Sequence, residues 1–356
     1  YTLKGLADVS VANRDVRRGE LMTRIRGCEE YADEAAWCGQ FFTLTCPSRF
    51  HAVLSGGKGK NARPRANPRY ENATPRDAQL WLRTMWARSR AELARLGVVM
   101  FGFRVAEPHH DGCPHWHALL WFADAAQAEI GAAVIKKHWL SDGGDEPGAQ
   151  KNRVDCKAMR AGGAAGYVAK YIAKNVGGNI DIGEHTDGLF PVAEGEVQGY
   201  QRVDAWAATW GIRQFQPIGQ PPVTVWRELR RVTKDQVEEA RVRGDGEAWR
   251  AWGAVHRGEG GVQACWAGYM RAQGGVCRGR GEWDLQTAAR DVRSVNQYGE
   301  TVDTKKTVGV CLRSGRWLVS RRQRWARVVD TAVSDPVDSA AMAAPWTGFN
   351  NCTARL

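Results

Sequence analysis

FGFRVAEPHHDGCPHWHALLWF, residues 101–122, is two apolar runs around a polar turn. VVMFGFRVAE (98–107) reads as one β-strand and HWHALLWF (115–122) as the next, so the stretch is an antiparallel hairpin. The chain has 8 histidines, and His109, His110, His115 and His117 fall inside this turn and the strand after it. Residues two apart on a strand face the same way. His115 and His117 therefore project from one face and Trp116 from the other, and their imidazoles can share one divalent ion. An HxH pair alone is commonplace; the hairpin and the nearby Glu107 single this one out.

The third ligand should come from the neighbouring strand. A two-residue turn at Asp111-Gly112 puts Glu107 opposite Trp116 and facing away. A three-residue turn puts Glu107 opposite His117 and His109 opposite His115, all four on one face. Pro108 and Pro114 cannot donate to a ladder, which favours an irregular turn. The expected ligand set is His115, His117 and Glu107, with His109 as runner-up. A carboxylate with two imidazoles and open positions suits Mg²⁺ or Mn²⁺ chemistry on phosphate, and would also accept zinc.

Outward from the hairpin, RDVRRGELMTRIRGCEEYADEAAW places Leu21, Met22, Ile25 and Tyr31 at helical spacing, so residues 1–40 form a helical N-terminal segment. In FFTLTCPSRF, Phe42, Leu44 and Cys46 alternate with Thr43 and Thr45 until Pro47 ends the strand. Thr74-Pro75 opens a helix with Asp77 in its first turn and Trp81, Leu82, Met85, Trp86, Leu93 and Leu96 as its apolar side, stopped by Gly97. ADAAQAEIGAAVIKKHWL is a further helix, NRVDCKAM a strand, AGGAAGYVAKYIAKN a helix, and GIRQFQ (211–216) a last strand before PIGQPP. The order β-α-β-β-α-β-α-β predicts an α+β domain, a central antiparallel sheet of about five strands with packed helices, over residues 41–220. From Pro221 to residue 356 a basic region follows, read as charged helix through VWRELRRVTKDQVEEARVRGDGEAWRAW and then as irregular chain with a hairpin in SVNQYGETVDTKKTVGVCLRSGRWLV.

Composition narrows the partners. The 356 residues are 43% hydrophobic and 25% charged, enough for a real core. The net charge of +11 points to a polyanion, most simply nucleic acid. Ser55–Arg69 holds Lys58, Lys60, Arg63, Arg65 and Arg69 and no acid, among Gly, Pro and Asn that oppose regular structure; it suits an arm closing on phosphates. Arg321, Arg322 and Arg324, interleaved with tryptophans, suit single-stranded DNA. The nine cysteines include no CxxC, which fits a reducing cytoplasm and argues against a zinc ribbon. No run is long and apolar enough to span a membrane, and YTLKGLADVS is not a signal peptide. The chain opens on Tyr1, not Met, as a fragment or processed product would.

GYVAKYIAKN carries the second constellation. Tyr167 and Tyr171 are four apart on one helical face, with Lys170 and Lys174 as a second such pair beside them. A phenol, with its pKa near 10, is a poor nucleophile at neutral pH. An adjacent ammonium, or a cation on the target phosphate, stabilises the charge that develops during attack.

PHWH followed by a YxxxY helix resembles the HUH endonucleases of the two-tyrosine, rolling-circle type. FFTLTCPSRFH, FGFRVAEPHHDGCPHWHALLWF, GYVAKYIAKN and GIRQFQPIGQPPVTVWRELRR, in that order, are similar to the replication gene A proteins of tailed temperate phages over about residues 1–232. PHWH alone is weak; the four blocks together are specific. The resemblance implies the HUH fold and an initiator that nicks one strand at a phage origin through a 5′-phosphotyrosyl link and later rejoins it. It implies His115 and His117 as metal ligands and Tyr167 and Tyr171 as the nucleophile pair. Single-stranded origin DNA, a host helicase and the replication machinery, in the cytoplasm of a bacterial host, would be its partners. Cys113 stands where that family leads one to expect Thr. Competing readings are a plasmid relaxase or two-tyrosine transposase and, from another class, a non-catalytic DNA-binding protein with structural zinc. A zinc peptidase lacks its HExxH.

Overall fold

The computed structural model describes residues 2–54, 64–159, 199–256, 264–296 and 298–321. Helices α1 (Leu3–Asp8) and α2 (Arg14–Glu34) come first. Then follow β1 (Cys38–Leu44), β2 (Val53–Leu54), β3 (Arg65–Ala66), α3 (Pro75–Arg95), β4 (Met100–Pro108), β5 (Pro114–Phe122), α4 (Ala125–Leu140), α5 (Ala149–Asn152) and β6 (Val154–Ala158). After residues 160–198, α6 (Gly199–Thr209) and β7 (Phe215–Ile218) complete this part. The long helices start where side chains satisfy the first free N–H groups. Asn13 accepts from Asp15 N at 2.9 Å, and Asp124 accepts from Gln127 N at 2.8 Å. At α3, Thr74 and Asp77 cap each other reciprocally.

The strands form one five-stranded sheet in the order β6-β1-β5-β4-β7, antiparallel throughout. The chain is thus α+β, as the element order predicts. Its pleat divides the core in two. Even-numbered Phe42, Leu44, Ala106, Trp116, Ala118, Leu120 and Phe122 pack under α3 and α4 against Leu82, Met85, Trp86, Ile135 and Trp139. Odd-numbered Phe41, Phe101, Phe103, Leu119 and Trp121 pack on the opposite face against α2 residues Leu21, Ile25, Cys28 and Ala32.

That second face is also covered by α7 (Val223–Leu229), α8 (Lys234–Val242), α9 (Gly246–Val255) and α10 (Trp266–Ala272). Their Val225, Trp226, Leu229, Trp266, Tyr269 and Met270 join the same cluster. A three-stranded sheet, β8 (Gln286–Val295), β9 (Thr301–Cys311) and β10 (Trp317–Val319), follows in the order β10-β9-β8 and contributes Val310, Leu312 and Leu318 to that cluster.

Several expectations shift. The charged stretch after Pro221 is three helices up to Val255, not one. Thr233 and Gln236 form a capping box at the second, and Gly244 takes a φ of +95° before the third. The last sheet strand is Phe215–Ile218 rather than 211–216. It contains Pro217, which an edge strand tolerates because its outer side needs no donor. Arg65 closes a short β2–β3 pairing with Leu54, so the base of the basic loop is regular where Gly, Pro and Asn predict irregularity. Leu96, expected in the core, caps α3 and is 54% exposed. The helix expected over AGGAAGYVAKYIAKN lies outside the described residues.

Gly102 marks the tightest crossing in the sheet. A Cβ there would sit 1.9 Å from the Leu119 carbonyl oxygen. Gly102→Ala is therefore expected to destabilise the chain by about 2–3 kcal/mol, the scale of forced overpacking. Urea unfolding checks this, and an unchanged midpoint would show that β4 and β5 are not this close.

Candidate metal centre

The His-rich hairpin takes a register that neither turn considered from sequence gives. Glu107 pairs with His115, Val105 with His117 and Pro108 with Pro114, leaving residues 109–113 as the connection. His109 N donates to Cys113 O at 2.8 Å and Gly112 N to His109 O at 2.9 Å. Glu107 is thus opposite His115 instead of His117. The slip is an even number of residues, so parity holds and Glu107, His115 and His117 share the odd face. Among the described residues these three could hold one metal ion, their ligand atoms all lying within 4.8 Å of one another.

Each side chain has a local reason to be there. Trp116, between the histidines, is 1% exposed on the opposite face. Its Nε1 donates to Gln79 Oε1 at 2.9 Å, and the Arg104 guanidinium lies 3.9 Å from its ring centre. This buried anchor fixes the height and rotation of β5. His117, 8% exposed, stacks on Phe41 with ring centres 5.4 Å apart, and its Nδ1 is 3.2 Å from Thr43 Oγ1. Thr43 faces it directly across the β1–β5 ladder. With Nδ1 protonated and donating to Thr43, the Nε2 lone pair points into the site.

The Nε2 atoms of His115 and His117 are 2.9 Å apart. Two imidazole nitrogens at that distance share either a proton or a cation. Nitrogens each about 2.1 Å from one ion and at right angles lie about 3 Å apart, so the donors fit a cation with further positions open. Glu107 Oε2 is 4.0 Å from His117 Nε2, and Glu107 is 9% exposed. The set is two nitrogens and a carboxylate, suited to Mn²⁺ and zinc, and to Mg²⁺ where added oxygens come from substrate and water.

Runner-up His109 sits beside this set but outside it. Its ring centre is 4.1 Å from that of His115. Burial, and the nearby His51, push its pKa down to about 4, so the ring is neutral. Its buried Nε2 has no hydrogen-bond partner among the described residues. Sequence reasoning passed over a further pair, His51 and Asp111. His51 Nδ1 lies 3.0 Å from Asp111 Oδ2. Burial opposes charging of His51, but the hydrogen bonds to Asp111 and Cys113 outweigh it and raise its pKa to about 10. Asn67 Nδ2 holds this loop by donating to the carbonyls of Ser48 and His51, both at 2.7 Å. A cleft of about 320 Å³ opens here, lined by Thr45, His51, His109, His110, Glu146 and Arg153 among others. The two loops meet only in the fold, so spacing alone gave no signal for the pair. Cys113 is 3% exposed with its N–H donated to Asp111 Oδ1, and it belongs to the core cluster under α3 and α4.

The other expected site residues divide. Tyr167, Lys170, Tyr171 and Lys174 lie outside the described residues, as do Lys58, Lys60, Arg63, Arg322 and Arg324. Arg65 and Arg69 are exposed on the chain leaving the basic loop. Arg321 is engaged internally, with Nη2 2.7 Å from the buried Glu228 Oε1. Among the described residues no helix is long and apolar enough to cross a membrane.

Comparison with known proteins gives a consistent relationship. The family model for the bacteriophage replication gene A protein (GPA) matches residues 1–179. The replication gene A protein of Escherichia phage 186 is 38% identical across 97% of this chain and 48% of its own length. That of Escherichia phage P2 is 35% identical across 96% of this chain and 44% of its own. A probable replication endonuclease from a prophage-like region of Salmonella paratyphi A is 31% identical across 69% of this chain and 29% of its own. The chain spans about half the length, or less, of these relatives. No solved structure matches it.

Thr43→Val removes the group that orients His117 while keeping the shape of β1. Outer partners of this kind are worth roughly 10–100-fold in metal affinity. Mn²⁺ titration calorimetry should show a loss of about tenfold for Thr43→Val and a larger loss for Glu107→Ala. Unchanged affinity in both would remove the three side chains as a metal centre.

Proposed function

From the premise that this chain belongs to the bacteriophage replication gene A protein family, we propose that it is a site-specific, metal-dependent DNA endonuclease and strand transferase of the HUH type that starts rolling-circle replication of a phage genome. The observation that carries the reading is the shared face of Glu107, His115 and His117, which brings a carboxylate and two imidazoles within reach of one cation. A bound Mg²⁺ or Mn²⁺ would supply Lewis-acid polarisation of the scissile phosphodiester. The relatives' names point the same way, since several are called replication proteins and some probable replication endonucleases.

The chain's own residues then have distinct tasks. His115, His117 and Glu107 hold the cation, and Thr43 and Trp116 hold the histidines. The phenolic oxygen of Tyr167 or Tyr171 attacks phosphorus and loses its proton. The phosphorus–O3′ bond breaks, the leaving oxygen takes up a proton, and the 5′ end stays on the tyrosine as a phosphodiester. Lys170 and Lys174 stabilise the charge on the attacking oxygen. The released 3′-hydroxyl primes synthesis by the host replication machinery, with a host helicase opening the duplex, in the cytoplasm of the bacterial host. The second tyrosine cuts the regenerated origin after one round, and the freed 3′ end closes the circle. Lys58, Lys60, Arg63, Arg65, Arg69, Arg322 and Arg324 contribute phosphate contacts to single-stranded origin DNA, part of the +11 excess.

Incubation with supercoiled phage origin DNA and Mn²⁺, followed by denaturing gels, tests this. A covalent adduct at a 5′ end is expected, abolished by EDTA and by Tyr167→Phe/Tyr171→Phe, while each single substitution blocks a different step. An adduct that survives the double substitution would refute the nucleophile assignment. DNA binding with tightly held zinc and no adduct at any origin would leave a zinc-stabilised binding protein.

A further inference from the structure

β8 and β9 form a ribbon that outgrows its own sheet. β10 pairs with β9 only at Gly309–Cys311, and Ala288 and Val310, at the base, are 2% and 0% exposed. From Ala289/Thr307 to Val295/Thr301 the pairing continues as two strands alone. No residue of this stretch is buried. At about 3.3 Å per residue it reaches about 23 Å from the sheet. A two-stranded ribbon is marginally stable by itself, so this one is held by its base and gains no core of its own.

Its two faces differ in charge. On the odd-numbered face acid and base alternate across the ladder. Asp291 stands opposite Lys305, and Arg293 Nε is 3.1 Å from Asp303 Oδ1. The even-numbered face carries Arg290 opposite Lys306, Val292 opposite Thr304 and Ser294 opposite Val302, with no acid in the ladder; Glu300 follows at the tip, where its Oε2 accepts from Asn296 Nδ2 at 2.8 Å. Arg290 and Lys306 are both exposed, and neither makes an ion pair among the described residues. Like charges directly opposite one another destabilise a ladder. Edge protection does not require this arrangement, because the compensated pairs of the other face guard the edge equally well. An uncompensated cationic pair in a ladder whose other residues on that face are small and uncharged fits a polyanion.

We propose that the even face of the β8–β9 ribbon is a docking arm for duplex DNA, separate from the metal centre, with Arg290 and Lys306 on phosphates of the double helix. A two-stranded ribbon matches the roughly 12 Å width of the major groove. Surfaces for single strands instead stack bases on aromatic rings. This face has none; Tyr298, 78% exposed, stands at the turn. The proposal rests on the reading of the chain as a DNA-processing protein and adds to it a grip on the duplex beside the nick.

The test uses the full chain, a fluorescein-labelled 30-base-pair duplex and EDTA, with anisotropy read between about 50 and 200 mM salt. Arg290→Ala/Lys306→Ala should weaken binding and reduce the slope of log K against log salt by about 1.8, two phosphate contacts at about 0.9 each. Arg293→Ala/Asp303→Ala, a neutral change on the other face, should leave affinity and slope as they were. The cationic-face variant should melt no lower than the parent, since it loses a repulsion. It should also form adduct on a single-stranded origin oligonucleotide at the parental rate. An unchanged slope, or equal losses from both double variants, would overturn the proposal. A smaller sedimenting species for the cationic-face variant without DNA would overturn it too, by making the face a contact between copies. Failure of the nicking reading would appear separately, as absence of adduct in every protein including the parent.

Discussion

The alternation of side chains along β5 governs the candidate site. His115 and His117 can face one ion only because Trp116 is driven the other way, into the core beneath α3. Burying a large apolar side chain contributes about 1.5–3 kcal/mol, and here the ring is also tied by Gln79 and covered by Arg104. A one-residue slip of β5 would turn both histidines into that core and Trp116 into the site. The register that stabilises the sheet therefore also sets the chemistry.

The same logic spreads to the neighbouring strands. β4 delivers Glu107 and β1 delivers Thr43 because both pair antiparallel with β5 and share its parity. α2 and α7–α10 cover Phe41, Phe101, Phe103, Leu119 and Trp121, the other end of the same face. Hydrophobic packing thus holds one end of the face rigid while polar ligands occupy the other. That is the arrangement a preorganised site requires. Beyond the metal face, charge is placed by the same pleat. On the β8–β9 ribbon, parity separates a neutral odd face from a cationic even one.

The legible parts of the sequence were those decided by period and parity. The HxH facing, the hairpin, the α3 start at Thr74 and the α+β order all follow from local pattern, and the structure has them. What depended on distant partners was not legible. Thr43 opposes His117 because β1 chose β5 as its neighbour, and no local signal names that choice. His51 meets Asp111 across 60 residues of chain. The turn was misjudged because Pro108 and Pro114, read as interruptions, pair with each other at the end of the ladder. Pro217 misled in the same way, being tolerated on an edge strand. Arg321 looked like a free cation in sequence, but folding supplies Glu228.

The account stands on one cation sharing both histidines of β5. Electron spin-echo spectroscopy of Mn²⁺ bound to the full chain, with histidine ring nitrogens labelled with ¹⁵N, reads this directly. Two coupled imidazole nitrogens are predicted in the parent, and one in each of His115→Gln and His117→Gln. Bound Mn²⁺ without imidazole coupling, or coupling that neither substitution changes, would contradict it.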